Sequence, residues 1–252
     1  MKACIVIPHY NHGGAIGRVI AALRPLGLPC RVVDDGSDAP SRQALARAIE
    51  PERAWVTLQC LPVNRGKGAA VKAGCEAAYA EGFTHAVQID ADGQHRIDDV
   101  PRLLAIARQR PDALVSGQAV YDRSVPRARM YGRYLTHVWV WINTLSFEIK
   151  DSMCGLRVYP LAATCAIWRT QYVGRRMDFD TEIMVRLSWR GVPIVCVPVP
   201  VTYPVDGVSH FRMLKDNVFI SLMHARLLVG MVWRSPWIVG RRVARKLARA
   251  AA

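Results

Sequence analysis

The chain has 252 residues, enough for one large domain or two small ones. Hydrophobic residues make up 51% and charged residues 21%, which argues against long disordered segments. The 34 Lys and Arg against 20 Asp and Glu give a net charge of +14, so we expect an anionic partner: nucleic acid, a nucleotide phosphate or an acidic membrane. The seven cysteines are scattered without a Cys-x-x-Cys pair, which disfavours a zinc site and fits a reducing cytosol.

Short apolar runs alternate with helix-like stretches over roughly the first 120 residues. Strands are predicted at residues 3–7, 31–33, 55–61, 86–89 and 113–116. Helices are predicted at residues 14–23, 41–49, 67–80 and 98–110. Alternation of strand and helix at this spacing predicts an α/β fold with a Rossmann-like, mostly parallel sheet and helices on both faces.

The pattern changes after Gly117. Further elements are expected in this half: a loop at 121–133, a buried aromatic helix at 134–147, a compact turn at 151–157, helices at 161–169 and 179–189, and an edge strand with several prolines at 193–201. We expect one domain at residues 1–215, divided near residue 120, and a carboxyl-terminal appendage at residues 216–252.

The appendage combines an apolar stretch with a cationic run. Residues 218–239 are rich in Leu, Val, Met and Phe and contain two tryptophans, and residues 241–249 are strongly basic. Such a pairing favours a helix lying in the headgroup zone of an acidic bilayer, although a core-packing helix with a solvated basic tail is the alternative. Because no 18 residues pass without a charge, a membrane-spanning helix is not expected.

Polar residues follow the first, second and fourth predicted strands. The three clusters are Pro8-His9-Tyr10-Asn11-His12, Asp34-Asp35-Gly36-Ser37-Asp38 and Asp90-Ala91-Asp92. Because carboxyl ends of neighbouring parallel strands meet at one crevice, we expect these clusters to converge. Two carboxylates so close repel each other, so Asp90 and Asp92 predict a seat for a divalent cation that holds a diphosphate. The alternative for an isolated Asp-x-Asp is a capped helix start.

A glycine-containing segment, Asn64-Arg65-Gly66-Lys67-Gly68, opens the Ala-rich helix. Its glycines permit close backbone approach, and a helix amino end attracts phosphate. The segment departs from the Walker pattern, and no spaced Gly-x-Gly-x-x-Gly is present. ATP hydrolysis and redox chemistry are therefore disfavoured.

Together with Gly93-Gln94-His95, these segments resemble the family 2 glycosyltransferases of the GT-A fold, most closely the dolichol- and polyprenyl-phosphate sugar transferases, from residue 3 to about residue 215. The resemblance implies an inverting transfer from a UDP- or GDP-sugar with Mg²⁺ or Mn²⁺. The donor-binding residues that it implies are Pro8, Tyr10, Asn11, Asp35, Lys67, Asp90, Ala91 and Asp92. The implied metal ligands are Asp90, Asp92 and Gln94.

The second half is expected to hold the acceptor, lipid-linked or hydrophobic. Asp151, in a segment similar to the Asp-x-x-x-Gly-x-Arg of the polyprenyl-phosphate group, is the first candidate for a base, and Asp180 and Glu182 are rivals. Each has a helix cap or an arginine partner as its alternative. Candidate acceptor or phosphate ligands are Arg123, Arg129, Arg133, Arg157, His210 and Arg212.

One departure leaves the acceptor open. The polyprenyl-phosphate enzymes usually carry an Arg and then Gly-x-Ser-Lys after the last strand, whereas here His210 replaces the Lys. A hydroxyl of a lipid or small aglycone is therefore an alternative acceptor. Two further alternatives are a sugar-phosphate nucleotidyltransferase and a non-catalytic module for acidic lipid or nucleic acid. Convergent carboxylates would repel a polyanion, so no nucleic acid is expected. We expect a protein peripheral on the cytoplasmic membrane face.

Overall fold

A computed structural model of the protein describes residues 1–121, 127–201 and 212–250. The strands in these ranges are β1 (Ala3–His9), β2 (Cys30–Asp34), β3 (Val56–Cys60), β4 (His85–Gln88), β5 (Leu114–Tyr121), β6 (Arg157–Pro160) and β7 (Ile194–Val201). The α-helices are α1 (Gly13–Leu23), α2 (Ala39–Ile49), α3 (Lys67–Ala80), α4 (Val100–Gln109), α5 (Arg127–Thr144), α6 (Leu161–Thr170), α7 (Phe179–Trp189) and α8 (Met213–Ala250).

The strands form a single sheet in the order β3-β2-β1-β4-β6-β5-β7. Neighbours run parallel except β6, which is antiparallel to both β4 and β5. Helices α1, α2 and α4 pack on one face, and α3 and α5 to α8 pack on the other. β1 is buried along its whole length, as a central strand covered on both faces must be. The predicted mostly parallel sheet with helices on both faces is confirmed.

Strand β6 is absent from the sequence-based assignment. The turn expected over 151–157 ends where β6 begins, at Arg157, and the strand has only four residues before α6 starts. So short a strand has no periodicity of its own, and its neighbours on both sides hold it in place. Its insertion between β4 and β5 carries the preceding loop to the edge of the sheet at which β4 ends.

The prediction for residues 121–147 was wrong in two respects. α5 begins at Arg127, inside the segment expected to be a loop. The helix is also not buried, because Tyr131 and Tyr134 are 74% and 60% exposed, and the nearby Phe147 is 71% exposed. Only its inner side packs against the protein, for example through Val140. The edge position predicted for β7 is confirmed by the sheet order.

The long helix α8 packs one side against α5 and α7. Its buried apolar side chains are Met223, Leu227, Met231 and Ile238. Each contributes about 1.5–3 kcal/mol by leaving water, enough to hold the helix against the domain. The opposite side exposes apolar residues, among them Trp233 and Trp237, at 82% and 72%. By length and composition alone, Leu214–Ala244 is also long and apolar enough to cross a membrane.

Candidate active site

The three polar clusters meet at the carboxyl edge of the sheet. β1 lies between β2 and β4, so the segments that follow these three parallel strands are neighbours. Pro8 and Ala91 are buried beneath this edge, whereas Tyr10 and Asn11 are half-buried at its surface. The expected convergence is therefore confirmed at the level of the backbone.

Hydrogen bonds fasten the loop after β1 to the loop after β2. His9 Nδ1 lies 2.9 Å from Asp34 Oδ1, and Ser37 Oγ donates to the same oxygen at 2.5 Å. Burial raises the pKa of Asp34, but its contacts with His9 and Ser37 outweigh this and lower the pKa. Asn11 has a left-handed backbone (φ 53°), and its side-chain oxygen accepts from the Asp38 N–H at 2.9 Å. The two loops therefore form one rigid wall.

Asp35 connects that wall to the segment before α3. Its two oxygens accept the backbone N–H groups of Arg65 and Gly66 at 2.8 and 2.7 Å. Gly36 permits the close approach, because a Cβ there would lie 2.6 Å from the backbone nitrogen of Asn64. Burial raises the pKa of Asp35. Asp35 thus determines how the amino end of α3 faces the crevice.

Lys67 joins two of the predicted carboxylates. Its Nζ lies 2.9 Å from Asp90 and 2.8 Å from Asp180 Oδ2. Burial raises the pKa of Asp90, but Lys67 and His95 more than offset this and hold the pKa well below its usual value. His95 Nε2 is 3.7 Å from Asp90, and His95 pairs with Val201 at the end of β7. Asp90 is therefore ionised and surrounded by cationic or polar groups.

The carboxylate of Asp92 is less well compensated. It accepts the backbone N–H of Gln94 at 3.0 Å, while burial and the charge of Asp90 raise its pKa. A divalent cation would relieve this repulsion, so the donor set fits Mg²⁺ or Mn²⁺. Among the residues that the structure describes, no group of three or more His, Cys, Asp or Glu side chains could hold a metal ion by itself. Mg²⁺ commonly takes one or two protein carboxylates and leaves the other positions to phosphates and water.

The loop before β6 supports Asp90 from the other side. A Cβ on Gly155 would lie 2.0 Å from Asp90 Oδ2, so this position accommodates glycine alone without a shift. Arg157 is fully buried and donates to the backbone oxygens of Ser152, Cys154 and Asp180 at 2.6–2.8 Å. The structure places Arg157 inside the protein as an organiser of this loop, away from solvent.

Asp151 is buried and fully engaged. Arg133 Nη2 lies 2.7 and 2.9 Å from its two oxygens, which also accept backbone N–H groups of Ala119, Met153 and Cys154. Burial raises its pKa, but the Arg133 charge and these donors outweigh this and lower the pKa. An ionised carboxylate with this many donors is a weak proton acceptor.

The other predicted residues fall into three groups. Glu182 is two residues from Asp180 but points elsewhere: Arg186, Arg226 and the Gly174 N–H enclose its carboxylate. Arg212 is exposed, and its backbone N–H donates to Asp216. Arg123, His210 and the side chain of Arg129 lie outside the described residues.

Two residues near the site were not predicted from the sequence. Gln88 Nε2 lies 3.4 Å from both Asp90 and Asp180, and its oxygen accepts from Tyr159 at 3.1 Å. Arg176 Nη1 donates to Asn64 at 3.3 Å, next to the residues whose amides Asp35 holds. A polar residue within an apolar strand pattern is the signal that could have identified Gln88, because a polar group that becomes buried needs hydrogen-bond partners.

Comparisons with known proteins agree with this architecture. The profile described as Glycosyl transferase family 2 matches residues 4–175. Dolichyl-phosphate beta-glucosyltransferase of Dictyostelium discoideum is 29% identical over 223 residues, which are 81% of this chain and 64% of that protein. Undecaprenyl-phosphate mannosyltransferase of Micrococcus luteus is 28% identical over 79% of this chain and 83% of that protein. The present chain spans just under two thirds of the Dictyostelium protein's length.

A solved structure shows the same fold. Glucosyl-3-phosphoglycerate synthase of Mycobacterium tuberculosis, in complex with Mn²⁺ and UDP-glucose, superposes with a TM-score of 0.63 at 16% identity, covering 91% of this chain and 78% of that one. The sheet, with its acidic carboxyl edge, is thus that of a GT-A-type glycosyltransferase. The chain belongs to glycosyl transferase family 2.

Proposed function

We propose that this enzyme transfers a sugar, with inversion, from a UDP- or GDP-sugar to a lipid-linked phosphate such as a polyprenyl phosphate. The observation that carries the proposal is the acidic pair Asp90 and Asp92 at the end of β4, beside the wall formed by the β1 and β2 loops. The relatives named as dolichyl- and undecaprenyl-phosphate transferases support the acceptor class, and the Mn²⁺–UDP-glucose complex of the structural neighbour supports the donor class.

The donor would lie along the carboxyl edge of the sheet. Tyr10, Asn11 and Asp35 would bind the nucleoside, with Pro8 and Ala91 beneath it, because these residues lie at the adjacent carboxyl ends of β1, β2 and β4. Each Asp35 oxygen keeps a second lone pair beyond the backbone N–H that it accepts, so a base N–H can still be recognised.

Asp90, Asp92 and Gln94 would hold Mg²⁺ or Mn²⁺ together with the diphosphate. The ion would supply charge neutralisation as the bond between sugar and diphosphate breaks. Lys67, now shared between Asp90 and Asp180, stands at the amino end of α3, where a cation can also face the phosphates.

The cationic partners of Asp151 and Asp180 favour a phosphate over a hydroxyl as the acceptor. A hydroxyl needs a general base, whereas a phosphate is already anionic. Asp151 is paired with Arg133 and Asp180 with Lys67, so both carboxylates already have cationic partners, an arrangement that suits an acceptor needing no base. In our proposal Asp151 positions Arg133, which faces the acceptor phosphate. The arginine and histidine candidates Arg123, Arg129, His210 and Arg212 remain proposals for the same anion.

We further propose that the protein binds the cytoplasmic face of an anionic membrane through α5 and α8. Both helices pack on the same side of the sheet and expose large apolar side chains, including Tyr131, Tyr134, Trp233 and Trp237. A basic run at residues 241–249 follows along α8, although Arg241 and Arg242 donate to the backbone oxygens of Trp189 and Thr144. An exposed apolar helix surface followed by a basic run suits the headgroup zone of such a bilayer. Arg133, on α5, would then meet a lipid phosphate at that surface.

Calorimetry with UDP, GDP, CDP and dTDP in the presence of Mn²⁺ tests the donor site. We expect one diphosphate to bind the wild-type protein, and Asp92→Asn to remove the metal-dependent part, at least about tenfold in affinity. Asp98→Asn is the matched control, because Asp98 is an exposed carboxylate, 88% accessible, that pairs only loosely with Arg96. Equal metal-dependent affinity in Asp92→Asn and wild type would refute the assignment.

A further inference from the structure

Glu182 is a buried carboxylate enclosed by two arginines. Oε1 accepts from Arg186 Nη2 at 2.6 Å, from Arg186 Nε at 2.9 Å and from Arg226 Nε at 3.3 Å. Oε2 accepts from Arg226 Nη2 at 2.7 Å and from the backbone N–H of Gly174 at 2.8 Å. Arg186 belongs to the same helix as Glu182, whereas Arg226 belongs to α8. Arg226 therefore contacts both oxygens, and its shorter bond orients Oε2, the oxygen that also holds Gly174.

Gly174 begins a segment that contacts residues 64–69, called here the donor-binding segment because they include the proposed donor ligand Lys67. The next residue, Arg175, accepts the backbone N–H of Ala69 at 3.2 Å, and a Cβ on Gly66 would come within 2.4 Å of its carbonyl oxygen. Arg176 donates to Asn64 at 3.3 Å. Residues 174–176 thus touch residues 64–69, the same segment that Asp35 holds through the amides of Arg65 and Gly66.

A second contact fixes Arg226 in this position. Its guanidinium lies 4.9 Å from the ring centre of Tyr172, two residues before Gly174. The Arg226 side chain is 37% exposed, whereas the Glu182 side chain is completely buried. Removing Arg226 would leave Glu182 with Arg186 alone among its side-chain partners in the described chain, so the carboxylate could turn toward Arg186 and release Gly174.

We propose that Arg226 is a positioning residue through which α8 holds the donor-binding segment in its binding conformation. The route runs from Arg226 to Glu182 Oε2, to the Gly174 N–H, and from residues 174–176 to Asn64, Gly66 and Asp35. The inference deepens the proposed function, because it assumes that residues 64–67 contact a nucleotide-sugar. Glu182, which the sequence offered as an alternative base, would then act without contacting the substrate.

The test compares Arg226→Met, which keeps the length of the side chain, with Arg226→Lys, which keeps the charge. Arg234→Met is the control: it removes another α8 charge, from an arginine 5.0 Å over the ring of Trp189 with no contact to Glu182. Donor affinity is measured by calorimetry with UDP and GDP in Mn²⁺, without membranes. Michaelis constants are measured with a UDP- or GDP-sugar and a short-chain polyprenyl phosphate.

Arg226→Met should weaken diphosphate binding and raise the donor KM by roughly three- to tenfold, with the acceptor KM unchanged. Arg226→Lys should recover most of this loss, and Arg234→Met should bind the donor within about twofold of wild type. A folded Arg226→Met protein with wild-type donor affinity would overturn the proposal, as would an equal rise in both Michaelis constants.

Amide hydrogen exchange separates this inference from the proposed function. Exchange of the Gly66 and Gly174 amides should accelerate in Arg226→Met, or in Arg226→Gln if the methionine variant does not fold, while the amides of β1 stay protected. Unchanged exchange at both glycines overturns the coupling even where no nucleotide binds. If wild type binds none of the diphosphates but exchange accelerates as expected, the proposed function fails and the coupling stands.

Discussion

At the scale of single residues, the site is a compact arrangement of alternating charges. Lys67 lies between Asp90 and Asp180, and Arg157 contacts the backbone oxygen of Asp180 at 2.6 Å. Buried charges are costly unless each is paired and its remaining hydrogen-bonding groups are satisfied. Asp90 therefore cannot move without disturbing several partners, and a substitution that displaces it should also affect Lys67 and Asp180.

Gly155→Ala should therefore impair catalysis more than folding. The added methyl group would lie 2.0 Å from Asp90 Oδ2, so the carboxylate must shift. We expect turnover to fall by about 10²-fold, the cost of misplacing a reacting group by about an ångström, and the unfolding free energy to fall by about 1–3 kcal/mol. Steady-state kinetics and denaturant titration measure the two effects. Gly14→Ala is the control, since a Cβ there meets nothing within 4 Å. Wild-type turnover in Gly155→Ala would contradict the expectation.

At the scale of elements, α8 is attached through both apolar and polar contacts. His224 is buried on its inner side, stacked on Trp139 with ring centres 5.8 Å apart and 3.3 Å from the Asn143 amide. Burial lowers the pKa of His224 to about 4. A buried neutral imidazole makes the attachment of α8 sensitive to acid, because the unfolded chain binds the proton at a higher pH than the folded protein does.

Acid should therefore lower the unfolding free energy of the wild-type protein more than that of a variant without this imidazole. Between pH 6.5, the ordinary pKa, and about 4 the unfolded state carries one more proton than the folded state, so stability falls as pH falls through this range. From pH 7 to pH 5 the contribution of His224 amounts to about 2 kcal/mol. We expect His224→Phe to lose correspondingly less stability than wild type over that interval, measured by denaturant unfolding. Parallel losses in the two proteins would show that His224 does not titrate in this way.

At the scale of the whole molecule, two surfaces surround the same sheet, one at its carboxyl edge and one over a helix-covered face. The carboxyl edge carries the acidic site, and the face covered by α5 and α8 exposes aromatic and apolar side chains. Arg133 connects them, because it lies on α5 and holds Asp151 in the loop that reaches Asp90. If the proposed function holds, this layout lets a lipid phosphate enter from the membrane side while the nucleotide-sugar enters from solution.

Replacing both Trp233 and Trp237 by alanine should therefore weaken binding to anionic vesicles. Each exposed indole that enters the interface contributes about 1.5–3 kcal/mol, so we expect the partition coefficient to fall at least tenfold. Sedimentation with phosphatidylglycerol vesicles measures it. Leu58→Ala, at the exposed edge strand β3, serves as the control. Identical sedimentation of the double variant and wild type would exclude these tryptophans from a membrane contact.

The amino-acid sequence by itself determined most of the local structure. Helix α3 runs over Lys67–Ala80 and α7 begins at Phe179, as their patterns predicted, because helical periodicity and breakers such as Gly82 are local properties. The adjacency of the clusters after β1, β2 and β4 also followed from the sequence, since right-handed strand–helix–strand units place such ends together.

The tertiary structure alone decided which charged groups meet. Gln88 and Asp180 are 92 positions apart, and only the insertion of β6 brings Gly155 beside Asp90. Asp180 and Glu182 look equivalent in the sequence, yet one faces Lys67 and the other faces Arg226. Each helical position turns the side chain by about 100°, so two positions apart they point to nearly opposite sides of α7. Partner choice depends on long-range packing, and no local periodicity encodes it.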